Sequence, residues 1–136
     1  MKILGIDYGD RKIGLATSDI NEKLASRFLT LENISSRKTI KEIKNIISKE
    51  EIKEIIIGLP VGLKIESEQT QKTRDFIGCL EKEMNITIKK INEVFTSRMA
   101  EENLLNAGVK REEMKKIIDQ EAARIILQDY LDNRKI

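Results

Sequence analysis

The sequence contains no histidine, which removes several classes of enzyme from consideration. Ser-His-Asp and Cys-His hydrolysis, histidine-based acid–base cleavage of RNA and zinc sites with histidine ligands all need that side chain. The single cysteine, Cys79, excludes an internal disulfide and a cysteine-rich metal site. Any chemistry must therefore rest on carboxylates, basic side chains, hydroxyls, backbone amides or a cation bound by oxygen. Oxygen-only sites suit Mg²⁺ or Mn²⁺.

Aromatic residues are also scarce, at 4% with no tryptophan, and the chain has one proline. The 23 isoleucines, together with leucine, must therefore supply an aliphatic core. Cys79 lies beside Phe76 and Leu80 in the sequence, which predicts a packed thiol. Tyr8 has two open roles at this stage. It could stack on a nucleic-acid base, or it could cover the edge of the core.

Long hydrophobic runs are absent, and no segment reaches the roughly 20 apolar residues of a membrane span. The first apolar stretch stops at Asp7, too early for a secretory signal, so we expect a cytoplasmic protein without membrane contact. The length of 136 residues predicts a single domain over 1–136. The net charge of +2 is too small to argue for nucleic acid by itself.

The hydrophobic pattern predicts an α/β fold. Short apolar runs predict five strands, and apolar residues at helical spacing predict four helices after the third strand. The strands are expected at 2–7, 13–18, 27–31, 54–59 and 87–91, and the helices at about 36–49, 69–84, 96–107 and 112–131. The first three strands can form an antiparallel meander, whereas the later strands need helical crossovers and lie parallel to the first. We therefore expect a mixed five-stranded sheet with helices on both faces.

Three acidic residues stand where this arrangement brings side chains together. Asp7 ends the first strand and Glu93 follows the fifth, and the carboxyl ends of parallel strands form one edge of a sheet. Asp119 heads an apolar stripe on the last helix, because Ala123, Ile126 and other apolar residues follow it at helical offsets. A carboxylate entering a core must be paired or metal-bound. Each acid taken alone favours a structural ion pair, for example with Lys12, but the three together favour a metal site.

The chain resembles the YqgF family, also called RuvX, of pre-16S rRNA nucleases over essentially its whole length. The resemblance rests on a spaced set of motifs. They are Gly5-Ile-Asp7-Tyr-Gly9, Arg11-Lys-Ile-Gly14-Leu-Ala16-Thr-Ser18-Asp19, Gly58-Leu59-Pro60, Arg74-Asp-Phe76, Asn92-Glu93 with Thr96-Ser97, and Lys116-Ile-Ile-Asp119-Gln-Glu-Ala122-Ala123.

The resemblance implies a fold similar to ribonuclease H and to Holliday junction resolvases. It implies that Asp7, Glu93 and Asp119 are the catalytic residues and bind Mg²⁺ or Mn²⁺ during phosphodiester hydrolysis. The pre-16S rRNA substrate is implied by the family alone. Arg11, Lys12 and Arg74 are our candidates for nucleic-acid contacts; each also has an ordinary interpretation as a solvated charge.

Three other functions stay open at this stage. Branched DNA is an alternative substrate for the same chemistry. The chain has Asn92 and Val94 where the family usually has Asp and Arg, and Val61 follows Pro60 where an Asn is frequent. These departures leave room for a non-catalytic nucleic-acid or protein-binding module. The hairpin around Gly9 also resembles that of actin-like ATPases, which close two such domains over a nucleotide.

A monomer and a homodimer are equally compatible with the sequence.

Overall fold

The chain folds into five strands and four helices within residues 1–60, 67–93 and 96–134, which the computed structural model describes. Every predicted element is present in the predicted order, with ends that differ by at most two residues. Val61 and Val94 lie outside the described residues. Within the described ranges, no helix combines the length and the apolar character that crossing a membrane requires. The elements are β1 (Lys2–Asp7), β2 (Lys12–Ser18), β3 (Ala25–Glu32), α1 (Ser36–Glu50), β4 (Ile52–Pro60), α2 (Glu68–Glu83), β5 (Thr87–Glu93), α3 (Thr96–Asn106) and α4 (Arg111–Asn133).

The strands form one mixed sheet in the order β3-β2-β1-β4-β5. The pairs β1–β2 and β2–β3 are antiparallel, whereas β4 pairs in parallel with β1 and with β5. This is the predicted meander followed by crossover strands. Because β1, β4 and β5 run in the same direction, their carboxyl ends lie side by side at one edge of the sheet.

Both faces of the sheet are covered, as the continuous apolar runs of β1 and β4 predict. Alternate strand residues enter opposite cores, since side chains along a strand point to alternate faces. Leu4 and Ile57 pack in a core with α1 and α2, whereas Ile3 and Ile56 pack in a second core against α4. Helix α3 packs on α4 through Ala100 and residues that include Ala122 and Ile125.

Cys79 is exposed, contrary to the expectation of a packed thiol. The side chains that α2 buries are Thr70, Thr73, Phe76, Ile77 and Leu80, and Cys79 lies outside that stripe. Sequence proximity to apolar residues was misleading here, because the direction of a helical side chain depends on its angle around the axis.

Glycines in the strands let α4 lie unusually close to the sheet. A Cβ atom on Gly14 of β2 would lie 1.9 Å from the carbonyl oxygen of Asp119, a separation that no real structure tolerates. A Cβ atom on Gly5 of β1 would lie 2.8 Å from Cβ of Leu127. The missing side chains therefore allow the backbone of α4 to contact β1 and β2 directly, which brings Asp119 to the sheet edge where β1 ends.

Candidate active site

A cavity of about 520 Å³ opens at the carboxyl ends of β1, β4 and β5 and is bounded by α4. Asp7, Glu93 and Asp119 all line it. The structure thus brings together the three acids that the sequence pointed to, from three elements far apart in the chain. Tyr8, Gln69, Thr96 and Arg98 also contribute to its walls.

Strand register and helix packing place each acid. Asp7 is the last residue of β1 and lies opposite Gly14 in β2, and Gly14 in turn contacts the backbone of Asp119. Glu93 is the last residue of β5 and lies opposite Pro60 of β4. The open position of Gly58 faces the Glu93 side chain, since a Cβ there would lie 3.2 Å from its Cγ. The small residues therefore leave room for the carboxylates to face one space.

Asp7 is the most strongly perturbed acid of this cavity. Burial, and then the negative charges of Asp119 and Glu93, raise the pKa of Asp7 from 3.8 to about 7. Desolvation and like charges both disfavour the ionised form of a carboxyl group. At neutral pH, the carboxyl group of Asp7 is therefore close to its midpoint of titration in the metal-free protein.

The other two acids are perturbed in the same direction. Burial raises the pKa of Asp119, an effect that the charge of Lys12 partly offsets. Burial also raises the pKa of Glu93, against the hydrogen bond from Thr96 and with a contribution from Asp129. Lys12 is thus close enough to influence Asp119. Among the residues that the structure describes, however, it forms no ion pair with it, so the salt-bridge interpretation of Asp119 is not supported.

The two carboxylate oxygens of Glu93 differ in their hydrogen bonding. The hydroxyl of Thr96 donates a hydrogen bond of 2.7 Å to Oε2 of Glu93. The second oxygen, Oε1, is buried and has no hydrogen-bond partner in the described part of the chain. A buried carboxylate oxygen without a partner is costly, and a cation is one group that would satisfy it.

The donor set fits a hard divalent cation that keeps part of its hydration shell. Within 1–60, 67–93 and 96–134, no three potential ligands are grouped closely enough to hold an ion by themselves. Mg²⁺ is commonly held by one or two carboxylates, with water and substrate phosphate oxygens completing the shell, so a closed protein cage is not required. Three converging carboxylates, one with an unpartnered oxygen, match that pattern.

The basic residues proposed from sequence occupy different places. Arg11 and Lys12 line a neighbouring cavity of about 310 Å³ beyond the β1–β2 turn. Arg74 lies exposed on α2, and it is not among the described residues that line the cavity of the three acids. The structure therefore brings Lys12 near the acids.

Tyr8 covers the edge of the core and, partly exposed, also lines the cavity of the three acids. Its ring packs against Phe76 with 4.5 Å between centroids, and its hydroxyl accepts a hydrogen bond of 3.1 Å from Asn33. Gln69 donates to the backbone carbonyl of Tyr8 at 3.3 Å. These contacts fix the loop that follows Asp7 at the wall of the cavity.

Sequence reasoning missed two cavity residues, Gln69 and Arg98. Arg98 lies in the first turn of α3, where it forms an exposed ion pair of 3.4 Å with Glu102. Its position two residues after Thr96 was the available signal, since the first turn of a helix that follows a strand end faces the same edge. Arg98 adds a cation to a cavity whose other charged lining residues, among those the structure describes, are the three acids.

The sequence model of the RuvX family, described as Holliday junction resolvase, matches residues 1–133. The chain belongs to the RuvX family. RuvX relatives include the "Putative pre-16S rRNA nuclease" of Chloroflexus aggregans, 36% identical over 98% of this chain and 94% of the relative. The protein of the same name from Clostridium botulinum (strain Hall) is 38% identical, with 98% of each chain covered.

Solved structures confirm the predicted ribonuclease H-like fold. Fowlpox virus resolvase, determined with Holliday junction DNA, aligns with a TM-score of 0.59 at 11% identity and covers 97% of both chains. Thermus thermophilus RuvC, also bound to a Holliday junction substrate, has a TM-score of 0.59 at 12% identity over 96% of this chain and 94% of RuvC. At such low identity, these likenesses concern the fold alone.

Proposed function

We propose that this RuvX chain is a nuclease that hydrolyses phosphodiester bonds with a divalent cation held by Asp7, Glu93 and Asp119. The observation that carries the proposal is the convergence of these three carboxylates in one cavity, each with a raised pKa. Side chains that repel one another in the metal-free protein are stabilised when a cation binds between them. Membership of a family whose relatives are named as nucleases supports the same function.

The chemistry requires no histidine. A bound Mg²⁺ or Mn²⁺ lowers the pKa of a coordinated water and stabilises charge on the phosphate and the leaving oxygen. The three acids would hold the cation, and Thr96 would keep one oxygen of Glu93 oriented. Lys12 and Arg98 border the acids and supply positive charge for a substrate phosphate. Arg11 would contact the backbone further along, and Arg74 would act on a substrate that reaches α2.

RNA is the substrate that we propose, specifically the precursor of 16S rRNA. This choice rests on the names of the relatives, which cover almost the whole of this chain at 36–38% identity. Branched DNA is the second candidate, favoured by the description of the family model and by the resolvases that share the fold. Both substrates present the same phosphodiester bond to the three carboxylates, so the chemistry does not choose between them.

A cleavage assay with matched substrates tests the proposal. Purified protein is incubated with precursor rRNA fragments and with four-way junction DNA, in Mg²⁺, in Mn²⁺ and in EDTA. We expect metal-dependent cleavage of the RNA, lost in EDTA and lost in the Asp119→Asn variant. Preferential cleavage of the junction would select the second candidate. Absence of cleavage of either substrate by folded protein would contradict the proposal and favour a binding module, and ATP hydrolysis alone would favour an ATPase.

A further inference from the structure

A second concave surface lies on the opposite face of the sheet from α4, between α1 and α2. This α1–α2 groove has a volume of about 470 Å³. Its walls carry four basic residues and one acid, namely Arg37, Lys41, Lys44, Lys82 and Glu83. Their side chains are solvent-exposed, so the groove is open to a large partner as well as to a small ligand.

The groove has a net positive charge, whereas the rest of the chain does not. Four cations against one carboxylate give it a net charge of +3, whereas the whole chain carries +2. The remainder of the protein is therefore net negative by one charge. A partner with repeated negative charges is attracted to this groove more strongly than to the rest of the surface, on average.

Three of the four groove cations form no ion pair with another described residue. Lys44 forms an ion pair of 3.3 Å with Glu83. Within residues 1–60, 67–93 and 96–134, by contrast, Arg37, Lys41 and Lys82 have no carboxylate partner within ion-pair distance. Cations grouped in this way repel one another, and binding of an anionic group removes the repulsion.

One end of the groove, at Ser36 and Arg37, is connected through Asn33 to the rim of the cavity that contains the three acids. Helix α1 begins at Ser36, and Asn33, just before it, donates hydrogen bonds to the Tyr8 hydroxyl at 3.1 Å and to the Gly9 carbonyl at 2.9 Å. Tyr8 and Gly9 line the acidic cavity. At about 1.5 Å per helical residue, Lys44 lies roughly 12 Å from Ser36 along α1. A polymer that crosses this rim would therefore meet several cations in succession.

We infer that the α1–α2 groove binds the phosphate backbone of the RNA substrate outside the cleavage site. The inference rests on the proposed nuclease function and adds a second contact region to it. Exposed lysine and arginine side chains bind phosphates without reading base sequence, so the groove would anchor and orient the RNA. The three acids act at one phosphodiester, whereas the groove holds the strand or helix that continues from it.

Cys79 provides a reporter within the native sequence. It is the only cysteine of the chain, it is exposed, and it lies in the groove. Alkylation of its thiol is followed by mass spectrometry in EDTA, so that RNA binds without being cleaved. We expect a saturating precursor rRNA fragment to slow alkylation by at least about threefold. An unchanged rate with saturating RNA, or no RNA binding, would overturn the inference, and protection by polyglutamate but not by RNA would indicate an acidic protein partner instead.

Charge reversal tests the same surface through affinity. The groove variant Lys41→Glu/Lys82→Glu is compared with Lys23→Glu/Lys115→Glu, a control with the same change of charge at exposed positions outside the groove. We expect the groove variant to bind RNA at least about tenfold more weakly. Its plot of log affinity against log salt should lose about 1.4–1.8 units of slope, since each phosphate contact contributes about 0.7–0.9.

The control variant should stay within about threefold of wild type in RNA affinity and in kcat. Equal losses of affinity in the two variants would show a general charge effect and overturn the inference. Failure of the two proposals is distinguishable. RNA that protects Cys79 but is never cleaved with any metal retains the groove and removes the nuclease function. Cleavage without protection of Cys79 retains the nuclease function and removes the groove as an RNA-binding surface.

Discussion

Two carboxylates of α4 lie two residues apart and have opposite environments. Glu121 is buried, yet Arg124 donates two hydrogen bonds of 2.8 and 2.6 Å to it, and Asn103 donates a third at 3.1 Å. Burial raises the pKa of Glu121, but the hydrogen bonds from Arg124 and Asn103 and the charges of Arg124 and Arg27 together lower it. Asp119 has no such donors among the described residues, and burial raises its pKa.

The difference separates a carboxylate whose charge is neutralised inside the fold from one that keeps the capacity to bind a cation, as the proposed function requires. Around Glu121, the side chains of α3, α4 and β3 supply the donors that an ionised group needs in a core. Around Asp119, the charge of Lys12 only partly offsets the effect of burial, and the charge of Asp119 in turn raises the pKa of Asp7. The cavity therefore holds negative charge that is only partly compensated, whereas the Glu121 region neutralises its carboxylate. Perturbed acids in a cleft are frequent at functional sites.

The largest expected effect is on cleavage by Asp119→Asn. We expect the rate to fall about a thousandfold or more, which corresponds to roughly 4 kcal/mol of lost transition-state stabilisation. The free energy of unfolding in EDTA should be unchanged or higher, because one of the repelling charges is removed. Urea unfolding in EDTA and single-turnover cleavage measure the two quantities. A variant that is severely destabilised in EDTA but cleaves normally per folded molecule would contradict the catalytic assignment.

The pH dependence of stability should differ between the two regions. The pKa of Asp7 is near 3.8 in the unfolded chain and about 7 in the metal-free native protein. Between these two pKa values, the native state holds a proton that the unfolded state releases. The contribution of Asp7 to the free energy of unfolding is therefore fully present below the lower pKa, and it is lost as the pH rises through about 7. This difference corresponds to at most about 4 kcal/mol. Glu121 acts in the opposite sense, because its lowered pKa contributes stability that is lost as the pH falls.

Urea unfolding in EDTA, repeated from about pH 4 to about pH 8, measures this dependence. Asp7→Asn should flatten the decline toward neutral pH, whereas the exposed control Asp75→Asn should leave it in place. A decline that persists undiminished in Asp7→Asn would show that another group titrates.

Glu121→Gln should destabilise the protein and spare its chemistry. Removing one partner of a buried ion pair costs about 3–5 kcal/mol, and we expect about 3 because the Arg124 side chain is partly exposed. Glu113→Gln is the matched control, since Glu113 and Lys116 form an i,i+3 pair on the same helix at an exposed position. That change should cost less than about 1 kcal/mol. Loss of cleavage per folded molecule in Glu121→Gln would place this residue in the active site.

The smallest expected effect is that of Thr96→Val on cation affinity. Without the hydroxyl that orients Oε2 of Glu93, Mn²⁺ binding should weaken about tenfold, the usual cost of removing a group that positions a ligand. Thr96→Ser keeps the donor and should restore the affinity. Isothermal titration with Mn²⁺ gives the dissociation constant, and thermal unfolding in EDTA controls for stability. Equal Mn²⁺ affinities in wild type and Thr96→Val would remove this positioning role.

The amino-acid sequence by itself determined the strands, the helices and the three acids. Apolar runs such as 54–59 and the stripe that follows Asp119 carry their periodicity locally, so the elements and their order were predictable. The convergence of Asp7 and Glu93 followed from the rule that parallel strands end at one edge. The spaced motifs also led to the correct family.

Only the tertiary structure decided which hydrogen-bond and charge partners surround each side chain. The contact between Gly14 and the backbone of Asp119 joins positions 105 residues apart, and no local pattern specifies it. The same is true of the donors that neutralise Glu121, the orientation of Glu93 by Thr96, and the cations that α1 and α2 place around exposed Cys79. Periodicity fixes which face of an element is apolar. The charge balance at a given carboxylate or groove depends on which distant elements pack beside it, and packing alone determines that.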